Sequence, residues 1–449
     1  MGTDTVRARV TDEVAERRRE QHGWYFYDWA CSVYSTSVLT VFLGPYLTAV
    51  AKHAADADGF VHPLGIPIRA GSFFAYSVSA SVILSIFVMP MAGAAADRTG
   101  RKKPLLAASA YLGAAATTGM FFLDGDRYLL GGLLLVVANA SVAVSMVLYN
   151  SYLPQIAPPE ERDAVSSRGW AFGYAAGSLV LIADLVLFTA HDSFGVSEST
   201  AVRICLASAG VWWGAFTLVP LKRLRDRRTA PGRRAPAHGW RQLAATVRDM
   251  RGKPLTLSFL FAYLVYNDGI QTVISQASVY GSEELGLSQS TLIVAVLLVQ
   301  VLAVGGALGM GRLARVYGAK RTILGSLVAW TVTLAAGYFL PAGAPVWFFV
   351  LAAGIGLVLG GSQALSRSLF SHLVLGGKEA EYFSAYEMSD RGMSWLGPLL
   401  FGLTYQLTGS YRDAIISLVV FFVIGFALLA RVPVGQAIRD AGNPVPDRI

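Results

Sequence analysis

The 449-residue chain predicts an all-α membrane protein of about 12 transmembrane helices, set out as two pseudo-symmetric halves of six. Three observations carry this. Composition comes first: 54% of residues are hydrophobic and 15% charged, where an ordinary soluble protein is about a quarter charged. Second, apolar runs of the roughly 20 residues needed to cross hydrocarbon recur from Trp24 almost to the C-terminus. A soluble core could not hide so many helices that are apolar on every side. Third, one loop returns at a fixed offset. Gly93-Ala-Ala-Ala-Asp97-Arg98-Thr-Gly100-Arg101-Lys102-Lys103 is echoed by Gly311-Arg-Leu-Ala-Arg315-Val-Tyr-Gly318-Ala-Lys320-Arg321, with both glycines and the closing basic pair in register. Parallel repeats about an axis normal to the membrane predict such an echo.

The elements follow in order. Residues 1–23 are polar and carry Arg17, Arg18 and Arg19, which would hold this segment in the cytoplasm while the first helix inserts; no cleavable signal is visible. The N-terminal half, 24–221, contains predicted spans at 24–50, 70–96, 104–123, 128–153, 167–190 and 201–221. The basic linker 222–253 includes Trp240, Leu243, Val247 and Met250 at helical spacing, opposite Arg241, Arg248 and Arg251. That pattern fits a short helix lying in the interface, or a solvated linker with an amphipathic look. The C-terminal half, 254–432, gives spans at 254–280, 290–311, 322–341, 345–373, 382–408 and 412–432, and 433–449 forms a tail.

Charge sets the topology. Of 37 Lys+Arg, the loops assigned to the outside hold Lys52, Arg69, Arg127, Arg203 and Arg412, and the other 32 lie elsewhere. This positive-inside asymmetry puts both termini in the cytoplasm. The net charge of +8 is thus explained by the lipid bilayer as partner, and no nucleic-acid partner is expected. Thirty arginines against seven lysines, with abundant alanine, suggest a GC-rich bacterial genome and hence the plasma (inner) membrane. Cys31 and Cys205 fall in apolar segments with no metal-ligand neighbour and read as small buried hydrophobes.

Polar groups inside spans are expensive and mark function or packing. Asp268 lies near mid-membrane in the seventh span, between Asn267 and Gln271, and either binds substrate or a proton or serves as a hydrogen-bonded structural carboxylate. Gly269 beside it would ease a local break in the helix. Asp184 in the fifth span is a second candidate for the coupling proton, unless it lies close to the outer surface. Tyr27 and Asp28, a turn inside the first span, suit a gate or a packing hydrogen bond. Arg367, Glu387, Asp390 and Arg391 gather by depth at the ends of the tenth and eleventh spans, as a gating network or a plain charge cluster. Asn139, Asn150 and Gln363 line a cavity or join helices. Gly169, Gly173 and Gly177 form a small-residue stripe for close helix contact. Enzymatic chemistry has no support: the six histidines show no HxxxH or HExxH spacing, and neither a P-loop nor a GxSxG elbow occurs. No metal and no cofactor are expected.

The first loop resembles the GxxxDRxGR signature of the major facilitator superfamily, matching through Gly93, Asp97, Arg98, Gly100 and Arg101. The resemblance implies a cytoplasmic latch, with Arg391 as partner of Asp97. The second copy has Arg315 where the first has Asp97, so the latch is not carried over to it. A narrower likeness is to the unknown major facilitator family, which includes autophagy-related vacuolar amino-acid effluxers. It rests on Tyr27-Asp28-Trp29, on Tyr266 through Gln271, on Gly360 through Arg367, and on the run from Glu387 to Pro398. It implies an alternating-access secondary transporter of a small-molecule substrate, with a cavity lined by the first, fourth, seventh and tenth helices. Neutral amino acids, moved in the efflux direction with protons through Asp184 or Asp268, are the leading expectation. A proton-coupled drug or sugar carrier is the alternative, though no proline follows the fifth-helix glycines as in drug antiporters. A non-transporting receptor or scaffold with the same fold is the alternative of another class.

Overall fold

A computed structural model of the chain describes residues 2–227, 248, 250–392 and 396–449. It is helical apart from one short antiparallel ribbon, β1 (Phe60–Val61) paired with β2 (Ile68–Arg69). Among the described residues nine helices are long and apolar enough to cross a membrane. Three further predicted spans coincide with helices whose sequences are more polar. Pro254–Val279 carries Asn267, Asp268, Gln271 and Gln276, Ala319–Tyr338 opens on Lys320 and Arg321, and the eleventh is described as Glu379–Gly392 and Leu396–Thr408, with 393–395 outside the described residues.

The first helix differs from expectation at its start. α1 (Gly2–Val33) begins well before Trp24, so the polar leading segment is helix too. Polarity keeps these residues out of lipid but does not oppose helix formation, because Glu, Arg and Gln are good helix formers. Glu16 pairs with Arg225, and Glu20 with Arg227 at 2.5 Å, which ties this extension to the chain beyond the sixth span. After Val33 the helix loosens into a π-helical stretch, Tyr34–Phe42, and resumes as α2 (Leu43–His53). The expected interfacial helix around Trp240, Leu243 and Val247 lies outside the described residues.

The chain forms two compact units. One comprises Met1–Tyr149 and Ala175–Trp240, the other Asn150–Tyr174 and Arg241–Ile449. The first holds α1, α2, α3 (Phe73–Thr99), α4 (Lys102–Gly119), most of α5 (Tyr128–Asn150), the second half of α7 (Arg162–Thr189) and α8 (Glu198–Arg223). Here α8 packs against both α1 and α4. A Cβ on Gly210 would collide with the Thr118 backbone nitrogen, and one on Gly177, from the small-residue stripe, would sit 2.7 Å from Thr36 Oγ1. Cys31 and Cys205 are both buried.

The second unit holds α6 (Leu153–Ile156), the first half of α7, α9 (Pro254–Val279), α10 (Gln289–Tyr317), α11 (Ala319–Tyr338), α12 (Pro345–Ser371), α13 (Glu379–Gly392) and α14 (Leu396–Thr408). It ends with α15 (Tyr411–Ser417), α16 (Val419–Arg431) and α17 (Val434–Asp440). α10 and α12 make its closest pair, since glycine brings their backbones together. A Cβ on Gly306 would collide with the Leu357 carbonyl oxygen, and one on Gly360 would lie 2.5 Å from that of Ala303. Small residues are what membrane helices use to gain close packing when lipid is as apolar as their own side chains.

The repeated loop has a physical counterpart in each unit. Gly100 ends α3 at φ +64 and its N–H bonds the Ala96 carbonyl at 2.9 Å; Gly318 ends α10 at φ +88 and bonds Ala314 at 2.8 Å. Positive φ is cheap for glycine alone, which is why both helices stop where they do.

Gly306→Ala is expected to lower the melting temperature by an amount equivalent to about 1–3 kcal/mol, since a methyl there overpacks against backbone. At its neighbour Gly305 an added Cβ would meet nothing within 4 Å, so Gly305→Ala should leave stability unchanged or raised. Equal melting of the two variants in detergent would contradict the assignment of α10–α12 as the tight pair.

Candidate functional site

In the second unit the α9 residues singled out from sequence divide between two partners. Asn267 Nδ2 donates to Asp390 Oδ1 at 2.5 Å, and the Tyr263 hydroxyl, one turn earlier on α9, donates to the same oxygen at 3.1 Å. Asp268 instead faces the start of α14, where the Gly397 N–H donates to its Oδ2 at 2.8 Å. Asp268 is 3% exposed, and its Oδ1 is buried with no hydrogen-bond partner among the described residues. The Asn267 Oδ1 is in the same condition. Gln271 is half-buried further along the helix. The expected break at Gly269 does not occur: α9 is continuous, and the glycine serves contact, since a Cβ there would lie 2.9 Å from Phe421 Cβ.

A second constellation is organised by Arg367, which is 1% exposed. Its Nε donates to Ser166 Oγ at 2.9 Å, one terminal nitrogen to the Ser166 carbonyl at 2.9 Å and the other to Asn150 Oδ1 at 3.3 Å. The guanidinium also lies 5.3 Å from the Trp170 ring. Asn150 Nδ2 in turn donates to Glu387 Oε1 at 2.7 Å, so one amide bridges a guanidinium and a carboxylate. Gln363, on the same helix as Arg367, accepts from the Tyr174 hydroxyl at 3.2 Å. Nearby, Arg162 donates to the Ser371 carbonyl at 3.0 Å and to His372 Nδ1 at 3.4 Å. Burial first, and the Arg162 charge second, lowers the His372 imidazole, just past the end of α12, to about 3.

In the first unit the Tyr149 hydroxyl donates to Asp28 Oδ2 at 2.6 Å, and Trp24 stacks on Tyr149 at 4.3 Å while bonding its carbonyl through Nε1. Tyr27 is fully buried with its ring 5.1 Å from that of Tyr149. Asn139 donates to Ser81 Oγ at 2.6 Å. Asp184 is 4% exposed; Ser37 and Ser208 are its polar neighbours, and the Ser208 hydroxyl lies 3.3 Å from its Oδ1. In the last turns of α3, where a loop was expected, Asp97 is buried 3.6 Å from Lys102 Nζ and Gly93 is buried, while Arg98 and, just past the helix, Arg101 are exposed. The side chain of Arg391 lies outside the described residues.

The candidates therefore form separate groups. Asn267 joins Asp390, Arg367 joins Glu387 through Asn150, and Asp184 and Asp28 each stand with their own partners. Sequence reasoning left out Tyr263, Tyr149, Ser166 and the Arg162–His372 contact. One signal was present: Tyr263 precedes Asn267 by four residues and so shares its face.

Helices of lipid-spanning length, carrying buried polar clusters in each of two units, define a multi-pass membrane protein. Solved structures agree on the fold. The E. coli fucose:proton symporter FucP matches with a TM-score of 0.68 at 13% identity, covering 92% of this chain and 97% of that one. The proton:xylose symporter XylE matches at 0.66 and 13%, over 94% and 96%. The chain belongs to the family described as "Vacuole effluxer Atg22 like", whose model matches residues 16–442. The Bacillus subtilis (strain 168) protein named "Uncharacterized MFS-type transporter YxiO" is 30% identical over 421 residues, 92% of this chain and 95% of that protein. Autophagy-related protein 22 of Yarrowia lipolytica is 29% identical over 468 residues, 84% and 78% of the two chains. This is the membership that the YDW start and the α9, α12 and α13 motifs implied, and it makes the chain a membrane transporter with a small-molecule substrate.

The His372 environment generates a pH prediction. Its folded-state value lies below the ordinary 6.5, so between those values the unfolded chain binds the extra proton. Stability is full above about pH 6.5 and falls as pH drops toward about 3, by up to roughly 1.4 kcal/mol per pH unit. His372→Gln, which stays neutral, is expected to flatten the fall in melting temperature from about pH 7 to pH 5 in detergent. An unchanged slope would show that another group governs it.

Proposed function

We propose that this transporter exports or exchanges a neutral amino acid by alternating access, with the substrate's ammonium group received at Asp268. The observation that carries the reading is the pair of adjacent buried acceptors, Asp268 Oδ1 and Asn267 Oδ1, each without a hydrogen-bond partner among the described residues. Leaving such oxygens unfilled in a low-dielectric interior is costly, and an ammonium group or a proton supplies the missing donors. An amino group brings three donors and a full positive charge to a carboxylate that otherwise accepts one backbone N–H. Gln271 and Gln363 supply neutral polar contacts for the substrate. The family's description as effluxers supports the outward direction.

Coupling follows from the same chemistry. A carboxylate that exchanges an ammonium for a proton returns empty without carrying a bare charge through hydrocarbon, so Asp268 is the coupling group in this reading and Asp184 the second candidate. The loop from Gly93 to Arg101 acts as the latch, and Tyr27, Asp28, Arg367 and Glu387 as gating residues. Thirty arginines and the distribution of basic loops support a plasma (inner) membrane location with both termini cytoplasmic.

Counterflow of a labelled amino-acid panel in proteoliposomes, with and without an imposed pH gradient, tests the proposal. Exchange of neutral amino acids, accelerated by the gradient and reduced at least about tenfold (1.4 kcal/mol) in Asp268→Asn, is expected. Undiminished exchange in the variant would remove Asp268 from the site. No exchange of any amino acid by folded protein would overturn the substrate class.

A further inference from the structure

The Asp184 carboxylate, in the first unit, stands behind a cavity that the amino-acid reading does not use. The cavity is an open, surface recess of about 420 Å³ beside α8, lined by Phe121, Ser208, Val211, Trp212 and Phe216 among others. Its wall is apolar and aromatic, and Val211 is 59% exposed on the surface of a chain built for lipid. The Trp212 and Phe216 rings are 4.5 Å apart, and the Trp212 N–H is fixed on the Trp29 carbonyl at 3.0 Å, so the aromatic wall is held in place.

Ser208, in that wall, links the cavity to the carboxylate. Its hydroxyl lies 2.8 Å from the Cys205 carbonyl and 3.3 Å from Asp184 Oδ1. A hydroxyl has one hydrogen, so it cannot donate to both. The shorter contact is to the carbonyl of its own helix, which leaves Oδ1 with the weaker claim. Asp184 Oδ2 is buried and makes no hydrogen bond among the described residues, and the neighbouring Ser37 hydroxyl is likewise unbonded. A buried carboxyl group with one unbonded oxygen therefore lies one hydroxyl away from an aromatic, lipid-side cavity.

The geometry points to a binding site for a lipophilic amine that enters from the bilayer. The ammonium brings a full positive charge and a strong donor to Asp184, which neighbouring neutral hydroxyls do not match. The aromatic rings of Trp212, Phe121 and Phe216 offer faces that attract a cation stripped of water, and the alkyl part fills the apolar remainder. A neutral lipid chain would use the cavity's volume but has no use for the carboxylate, and a free amino acid lacks the apolar body that the wall requires. The site is separate from Asp268 in residues and in ligand chemistry, so the two readings stand or fall independently.

Binding of radiolabelled N,N-dimethyldodecylamine to the full chain in phosphatidylcholine nanodiscs, corrected for empty nanodiscs, tests the site, with dodecanol as the uncharged comparator. The expected result is saturable amine binding that weakens at least about tenfold in Asp184→Asn, and dodecanol binding that is weak and equal in both proteins. Because Asp184→Asn could disturb folding, Val211→Trp provides a second arm: it fills the cavity from the lipid side, leaves the carboxylate intact and is expected to abolish amine binding while amino-acid counterflow persists. Asp268→Asn should bind the amine as wild type does. Amine binding that is absent, equal in wild type and Asp184→Asn, matched by dodecanol, or untouched by Val211→Trp would overturn the proposal.

Discussion

Hydrocarbon offers no hydrogen-bond partner, so every polar group carried into the membrane must find its donor or acceptor within the protein. The buried side chains of this transporter are arranged around that constraint. Arg367 is the fullest case. Three of its nitrogens are taken up by Ser166 and Asn150, and its planar face by Trp170. A lysine could not fill that set, because its donors are not held in a rigid planar fork. Asn150 then extends the satisfaction to Glu387 through the other end of its amide. Such a chain of bonds fixes positions along several segments at once, since moving one member leaves its neighbour unpaired in a low-dielectric setting.

Close packing follows a second rule of the same solvent. Lipid tails are as apolar as leucine, so helices gain by approach of backbones and not by escape from the surroundings. Gly306, Gly356 and Gly360 let α10 and α12 approach, and Gly210 does the same for α8 against α4. Gly269 belongs with these. Its place beside Asn267 and Asp268 suggested a broken helix, yet glycine lowers the cost of both a break and a close contact. Sequence alone does not say which, because the choice depends on whether another helix lies opposite, as α16 does here with Phe421.

This separates what the sequence made legible from what it did not. The spans were readable because membrane thickness fixes a length and lipid fixes a composition, and both are local properties. The turn glycines Gly100 and Gly318 were readable through their repeat. The helical nature of residues before Trp24 was not, since hydropathy reports where a helix sits and not whether one forms. Side-chain partnerships were the hardest to see. Asp390 was noticed as one of several charges near a helix end, but its bonds to Asn267 and Tyr263 join segments more than a hundred residues apart. Nothing in local pattern encodes such a pairing.

The partners nonetheless sort the intramembrane carboxylates, and the sorting bears on function. Asp28 receives a tyrosine hydroxyl at 2.6 Å, and Asp390 receives both an amide and a tyrosine hydroxyl on one oxygen. Each is tied to a donor that belongs to another helix. Asp268 and Asp184 differ. Each has one oxygen close to a donor and one buried oxygen that makes no hydrogen bond among the described residues. A side chain kept in that condition lowers stability, and a neutral isostere such as asparagine would fit the same space with less to lose. Retaining the acid makes physical sense where a donor arrives and departs during the working cycle, because a permanently satisfied group could not release what it binds. In the proposed cycle those two aspartates, one in each unit, are the groups that exchange a charge or proton, while Asp390 holds the helix that carries Asp268.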